Sequence, residues 1–128
     1  MRIGELSRLT GVSVRLLRYY EEQGLLTPRR RPSGYREYES GDIERVGRIR
    51  VLLAAGLSTA KIAHALPRTC AEGNQLVPCP GLVPDLKQER TRIDETIQAL
   101  RASRTVLDSV ISAASAATPP VPGSGEMP

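Results

Sequence analysis

The sequence has no Trp and no Phe, and four Tyr are its only aromatic residues. A hydrophobic core must therefore be assembled from Leu, Ile, Val and Ala. All four tyrosines (Tyr19, Tyr20, Tyr35 and Tyr38) fall within the first 38 residues, an odd distribution for packing alone and a sensible one if some of them touch a partner. There is one histidine, His64, among apolar neighbours, where it serves as well for packing as for anything else. No nucleophile, base and orienting group fall together, and the glycines are spread over turns and caps rather than gathered in a phosphate-cradling loop. These absences predict a protein that is not an enzyme. No apolar run approaches the ~20 residues of a membrane-spanning helix. The N-terminus lacks an apolar segment with a cleavage site, which predicts a cytoplasmic protein whose two cysteines, Cys70 and Cys79, are thiols rather than a permanent disulfide.

Charge is unevenly placed. Residues 1–58 hold eleven Arg against seven Asp and Glu, which accounts for the whole formal charge of +4; residues 59–128 hold seven of each sign. A basic, tyrosine-bearing head on a neutral remainder is the electrostatic footprint of a protein that binds the phosphate backbone of nucleic acid. At 128 residues the chain is one small domain, or one with an extension.

The stretch from Val12 to Glu22 organises the rest. Ser13 is a good N-cap, and Gly24 is a natural stop because only glycine enters the left-handed cap conformation without steric cost. Between them Arg15, Arg18, Tyr19 and Glu22 recur at helical spacing and share one face, while Leu16, Leu17 and Tyr20 supply apolar area elsewhere. Upstream, Ile3, Leu6 and Leu9 mark a short helix, joined to the second by Thr10-Gly11-Val12. Helix, short glycine-containing turn and second helix make a helix-turn-helix, in which the second helix reads the DNA groove. Downstream, Pro32-Ser33-Gly34 is a turn and Tyr35-Arg36-Glu37-Tyr38 alternates like a short strand, predicting a β-hairpin wing. Its tip carries Arg29 to Arg31, placed for phosphate or minor-groove contact.

The ordered set IGELS, TGVSVRLLRYYEEQGLL and SGYREY, at these separations, resembles the DNA-binding head of the MerR family of bacterial transcription regulators over roughly residues 1–66. The resemblance implies two winged heads held on an antiparallel coiled coil, straddling a palindromic promoter operator in double-stranded DNA. It implies bending and untwisting of that DNA until RNA polymerase engages the promoter. The candidate DNA-binding residues are Ser13, Arg15, Arg18, Tyr19, Tyr20, Arg31, Gly34, Tyr35, Arg36 and Tyr38.

The expected organisation is mainly α. Residues 1–66 form a winged helix-turn-helix domain with a small hairpin wing. It includes a third helix capped by Ser40 and ended by Gly56, then a fourth capped by Ser58, with Ile62, Ala63 and Leu66 inward. Residues 67–84 read as a loop rich in Pro and Gly that holds both cysteines. Residues 85–112 carry a heptad repeat. Leu86, Ile93, Leu100 and Leu107 stand seven apart, Ile97 fills the partner position, and Arg90 and Arg104 interrupt that row. This predicts a dimerisation helix paired with a second copy of the chain. Residues 113–128, small and Pro-rich, read as a disordered tail.

Two further readings stay open. Cys70 and Cys79 could make the protein a metal- or redox-responsive regulator, holding a thiophilic ion or closing a disulfide, or they could be inert thiols. A winged head without sensing would make it an architectural DNA bender of the excisionase kind, although such a protein needs no long self-pairing helix.

Overall fold

A computed structural model describes residues 1–72 and 75–117. In the unit Met1–Pro84, α1 (Ile3–Thr10) ends on Gly11, which sits at φ 74° and donates its N–H to the Ser7 carbonyl at 2.9 Å. Val12 and Ser13 then lead into α2 (Val14–Glu22), whose start is fixed by the Ser13 hydroxyl accepting the Leu16 N–H at 3.1 Å. At its other end Gly24 takes φ 76°, and the N–H groups of Gly24 and Leu25 return to the carbonyls of Glu21 and Tyr20 at 3.0 and 2.9 Å. This is a Schellman ending: only a residue without Cβ adopts that left-handed turn cheaply, and the reversal drops Leu25 into the core.

The wing is an antiparallel pair of β1 (Arg29–Arg30) and β2 (Arg36–Glu37), in the register Arg29 to Glu37 and Arg30 to Arg36. Its closure depends on Arg31, whose N–H donates to the Tyr35 carbonyl at 2.9 Å. Tyr38 then donates its N–H to the Met1 carbonyl at 2.7 Å, so the first residue lies beside the return strand.

Two expectations about α3 (Ser40–Ala54) and α4 (Thr59–Ala65) are corrected. The cap of α3 is Glu39, not Ser40, because the Asp42 carboxylate three residues on reaches back to accept the Glu39 N–H at 2.8 Å. In α4 the inward residues are Ile62 and Ala65, followed by Leu66; Ala63 is exposed, since the turn of the short helix carries it to the outer side. Leu6, Leu17, Tyr20, Tyr38, Ile49 and Ile62 are among the most deeply buried side chains of the core that these helices enclose.

The largest departure from expectation lies in residues 67–84. Instead of a loop, Leu66–Arg68 makes a 3-10 turn, and β3 (Thr69–Glu72) pairs antiparallel with β4 (Gln75–Pro78). Pro78 is tolerated at the end of β4 because it faces Thr69, and the next N–H, that of Cys79, carries the bond across to the Arg68 carbonyl at 2.8 Å. The residues joining the two strands, 73 and 74, lie outside the described residues.

The other unit, Asp85–Pro128, is described through most of α5 (Val83–Ala117), a helix of 35 residues. It runs past residue 112, where a tail was expected, to Ala117; the remainder of that expected tail, residues 118–128, lies outside the described residues. Thr91, Thr96 and Thr105 return their hydroxyls to carbonyls four residues back at 3.0–3.1 Å, so these polar residues stay compatible with a helix. Every residue from Arg90 to residue 116 is exposed. Among the described residues no helix is long and apolar enough to cross a membrane.

Candidate nucleic-acid interface

One side of α2 is core and the other is open. Leu17 and Tyr20 are buried, whereas Arg15, Arg18, Tyr19 and Glu22 are exposed, as their spacing predicts. Leu16, expected to pack, is also exposed at 39%. Ser13 sits at the head of this face with its hydroxyl engaged as the cap. A helix that presents two guanidinium groups and a phenol on one side has the donors and the flat ring that base edges and phosphates accept.

Two residues leave the candidate set. Tyr20 and Tyr38 are each 1% exposed, and burial pushes both phenols above their ordinary pKa. The Tyr38 hydroxyl has no hydrogen-bond partner among the described residues. Their rings add aromatic volume to a core otherwise built of Leu, Ile and Val. The other two tyrosines are outside: Tyr19 is 43% and Tyr35 54% exposed.

At the wing, where the sequence places arginines for phosphate or minor-groove contact, the structure sets a carboxylate beside each of Arg29, Arg30, Arg31 and Arg36. Arg31 hydrogen-bonds Glu37, which holds the Glu37 carboxyl below its usual range and raises the arginine. Arg29 stands 3.8 Å from Glu39. Arg36 donates its Nε–H to Glu21 Oε1 at 2.5 Å, and the Arg30 guanidinium is 3.6 Å from the second oxygen of the same carboxylate. Glu21 lies on α2, so one acidic side chain fastens both strands of the wing to the helix that carries Arg15 and Arg18. It was not singled out from the sequence, where nothing in its spacing points across fifteen residues to Arg36.

Arg2 was also passed over. Its guanidinium lies 4.1 Å from the centre of the Tyr35 ring, a cation–π contact that holds the exposed tyrosine in place. An open cleft of about 270 Å³ there is lined by Met1, Arg2, Arg31, Ser33, Tyr35, Arg36 and Glu37. It brings three of the candidates, Arg31, Tyr35 and Arg36, together. Gly34 contributes no side chain; its φ of 89° shapes the turn at the wing tip.

The expected self-pairing residues all lie on α5. Leu86 is half-buried, and Arg90, Ile93, Ile97, Leu100, Arg104 and Leu107 are exposed, with Ile93 at 48% and Leu100 at 65%. Cys70 is exposed on β3 and Cys79 half-buried after β4, both as free thiols. Among the described residues no group of three or more His, Cys, Asp or Glu converges, and His64 is exposed on α4.

A helix-turn-helix with a wing clasped to its second helix defines the class of winged DNA-binding regulators. Residues 1–69 match the family described as MerR HTH family regulatory protein, and the chain belongs to that family. It is 47% identical over 60 residues to the HTH-type transcriptional regulator TnrA of Bacillus subtilis, an alignment covering 47% of this chain and 54% of that protein. The chain thus spans about half the length of that relative. Its fold is similar to MtaN, the N-terminus of the Bacillus subtilis multidrug transporter activator, with a TM-score of 0.68 at 20% identity over 87% of this chain and 97% of that one. It is also similar to HiNmlR, a MerR family regulator lacking the sensor domain and bound to promoter DNA, with a TM-score of 0.51 at 16% identity over 87% and 86%.

Proposed function

We propose that this chain is a homodimeric regulator that acts by binding rather than catalysis, in the cytoplasm, on a palindromic promoter operator that it bends and untwists to control RNA polymerase. The observation that carries the reading is the outer face of α2, where Arg15, Arg18 and Tyr19 project from a helix seated on the core and tied to a basic wing by Glu21. HiNmlR, whose fold is similar, is bound to promoter DNA, which supports DNA as the ligand. Pairing is supported by α5, whose Ile93, Ile97, Leu100 and Leu107 recur at coiled-coil spacing and meet water in a single chain.

The test is a gel shift with DNA fragments selected from the protein's own genome. Each guanidinium on a base or phosphate contributes ~1–3 kcal/mol, so the Arg15→Ala/Arg18→Ala variant loses at least about 30-fold in affinity. An unchanged shift overturns the assignment. For assembly, Ile97→Asp with Leu100→Asp places charges in a dry seam and yields monomers in sedimentation at micromolar concentration; an intact dimer places the interface elsewhere.

A further inference from the structure

Three arginines, Arg2, Arg31 and Arg36, line the cleft beside the wing, and their charges are not equally available. Arg31 hydrogen-bonds Glu37 and Arg36 hydrogen-bonds Glu21, so each keeps a carboxylate beside its guanidinium. Glu37, the carboxylate on the cleft wall, is thereby taken. Arg2 is exposed and has no ion pair among the described residues; the contact that holds it is the Tyr35 ring, 4.1 Å away. Of the three, Arg2 brings a whole positive charge to whatever enters the cleft.

The stack leaves that charge ready to bind. A guanidinium over an aromatic face is attracted by the ring quadrupole, so its fork of N–H donors stays available to an acceptor. Both partners are also fixed at the backbone. The Arg2 carbonyl accepts the N–H groups of Glu5 and Leu6 at 3.1 Å each, and the Tyr35 carbonyl accepts the Arg31 N–H at 2.9 Å. A long side chain held in advance loses less freedom when it binds. The cleft adjoins the reading helix as well. Arg36 on its wall reaches Glu21 of α2, and Glu21 stands one turn after Arg18 on that helix. A DNA backbone crossing Arg18 has the cleft as its neighbour.

We propose that Arg2 is a further DNA-binding residue of this chain: stacked on Tyr35, its guanidinium takes one backbone phosphate per head at the wing cleft. The guanidinium fork matches phosphate oxygens in bidentate fashion. Such a contact carries no base information; it adds affinity and fixes how the wing lies on the duplex. The inference rests on the DNA-binding reading above and extends it to a residue outside both the helix-turn-helix and the wing.

Affinity for the operator fragment is measured against salt concentration for the full-length wild type, Arg2→Gln, Arg2→Lys and Tyr35→Leu. Arg2 and Tyr35 are exposed, so each variant keeps the wild-type urea midpoint. Arg2→Gln retains a polar chain without the charge and is expected to bind about tenfold or more weakly at low salt. Its plot of log affinity against log salt becomes shallower by about 0.9 per subunit. Arg2→Lys keeps the wild-type slope. Tyr35→Leu weakens binding with the slope kept, because the charge at Arg2 remains. Wild-type affinity and slope in Arg2→Gln overturn the proposal. So does weakened binding with an unchanged slope, since Arg2 would then only position Tyr35. Millimolar inorganic phosphate at constant ionic strength that erases the difference between Arg2→Gln and wild type also overturns it, because the cleft would then hold a free anion. A wild type that binds no operator brings down the reading above and this contact with it; one that binds through Arg15 and Arg18, indifferent to Arg2→Gln, brings down this contact alone.

Discussion

The two hairpins of the N-terminal unit have the same topology and opposite means of support. Every residue of β1 and β2 is charged, and the wing is held by carboxylates at or near the surface: Glu21, Glu37 and Glu39. The β3–β4 hairpin turns Thr69 and Leu76 inward and is fastened by Arg48, whose side chain is only 16% exposed and hydrogen-bonds both the carbonyl and the hydroxyl of Thr69. Exposed ion pairs contribute ~0.2–1 kcal/mol each and are screened by salt, whereas hydrogen bonds to a charged group contribute ~1.5–3 kcal/mol. The wing is therefore an adjustable appendage, and the second hairpin is an extension of the core.

The sharpest way to break this contrast is Arg48→Ala. It removes both bonds to Thr69 and should cost about 2–4 kcal/mol in urea unfolding. A loss below about 0.5 kcal/mol would make the hairpins alike. A smaller effect is expected from Glu21→Gln, which keeps the shape of the side chain but drops the charge that holds Arg36 and Arg30. Stability should fall by about 0.5–1 kcal/mol, and exchange of the Arg31 amide, which donates across the wing, should quicken. Molar salt should mimic the substitution at Arg31 and leave the Cys79 amide of the second hairpin unaffected.

The smallest effect is one of pH. Glu37 titrates below the ordinary glutamate value because it hydrogen-bonds Arg31. A lowered folded-state pKa means that its contribution is present above the unfolded value of ~4.3 and is lost as pH falls through the folded one. Arg31 amide exchange, corrected for its intrinsic pH dependence, should therefore rise only below that value. A rise already complete by pH 6 would point to another group.

The helix-turn-helix was legible because its signals are local. Ser13 caps its own helix, Gly24 ends it, and the alternation of Arg and Leu between them needs no distant partner. The wing was legible for the same reason, through Pro32-Ser33-Gly34. The second hairpin was not, although Gly73-Asn74 between two four-residue runs is itself a turn signal. Pro78 and Pro80 read as loop punctuation, and the anchor that holds the strands comes from Arg48, twenty-one residues before Thr69. At the candidate interface the sequence separated α2 into two faces and set Tyr20 on the packing side, but it could not show that the core would claim Tyr38 as well. Tyr20 stands three residues from Leu17 and follows it inward; Tyr38 is drawn in by the strand it ends. The pairing of wing arginines with Glu21 and Glu39 is tertiary and left no pattern to read.

Those pairings bear on how the protein would respond to salt. DNA binding draws strength from counterions released when a cation replaces them at a phosphate, and log affinity falls with log salt at a slope of ~0.9 per phosphate neutralised on B-DNA. In the basic half, Arg8, Arg29, Arg30, Arg31, Arg36 and Arg48 each lie within 4 Å of a carboxylate, whereas no described ion pair involves Arg15 or Arg18. An arginine that keeps its carboxylate brings no net charge to the DNA and displaces no ion from it. For the operator binding proposed above, the salt slope per subunit should then reflect a few contacts rather than eleven arginines, because folding has already neutralised much of the charge that the composition advertises.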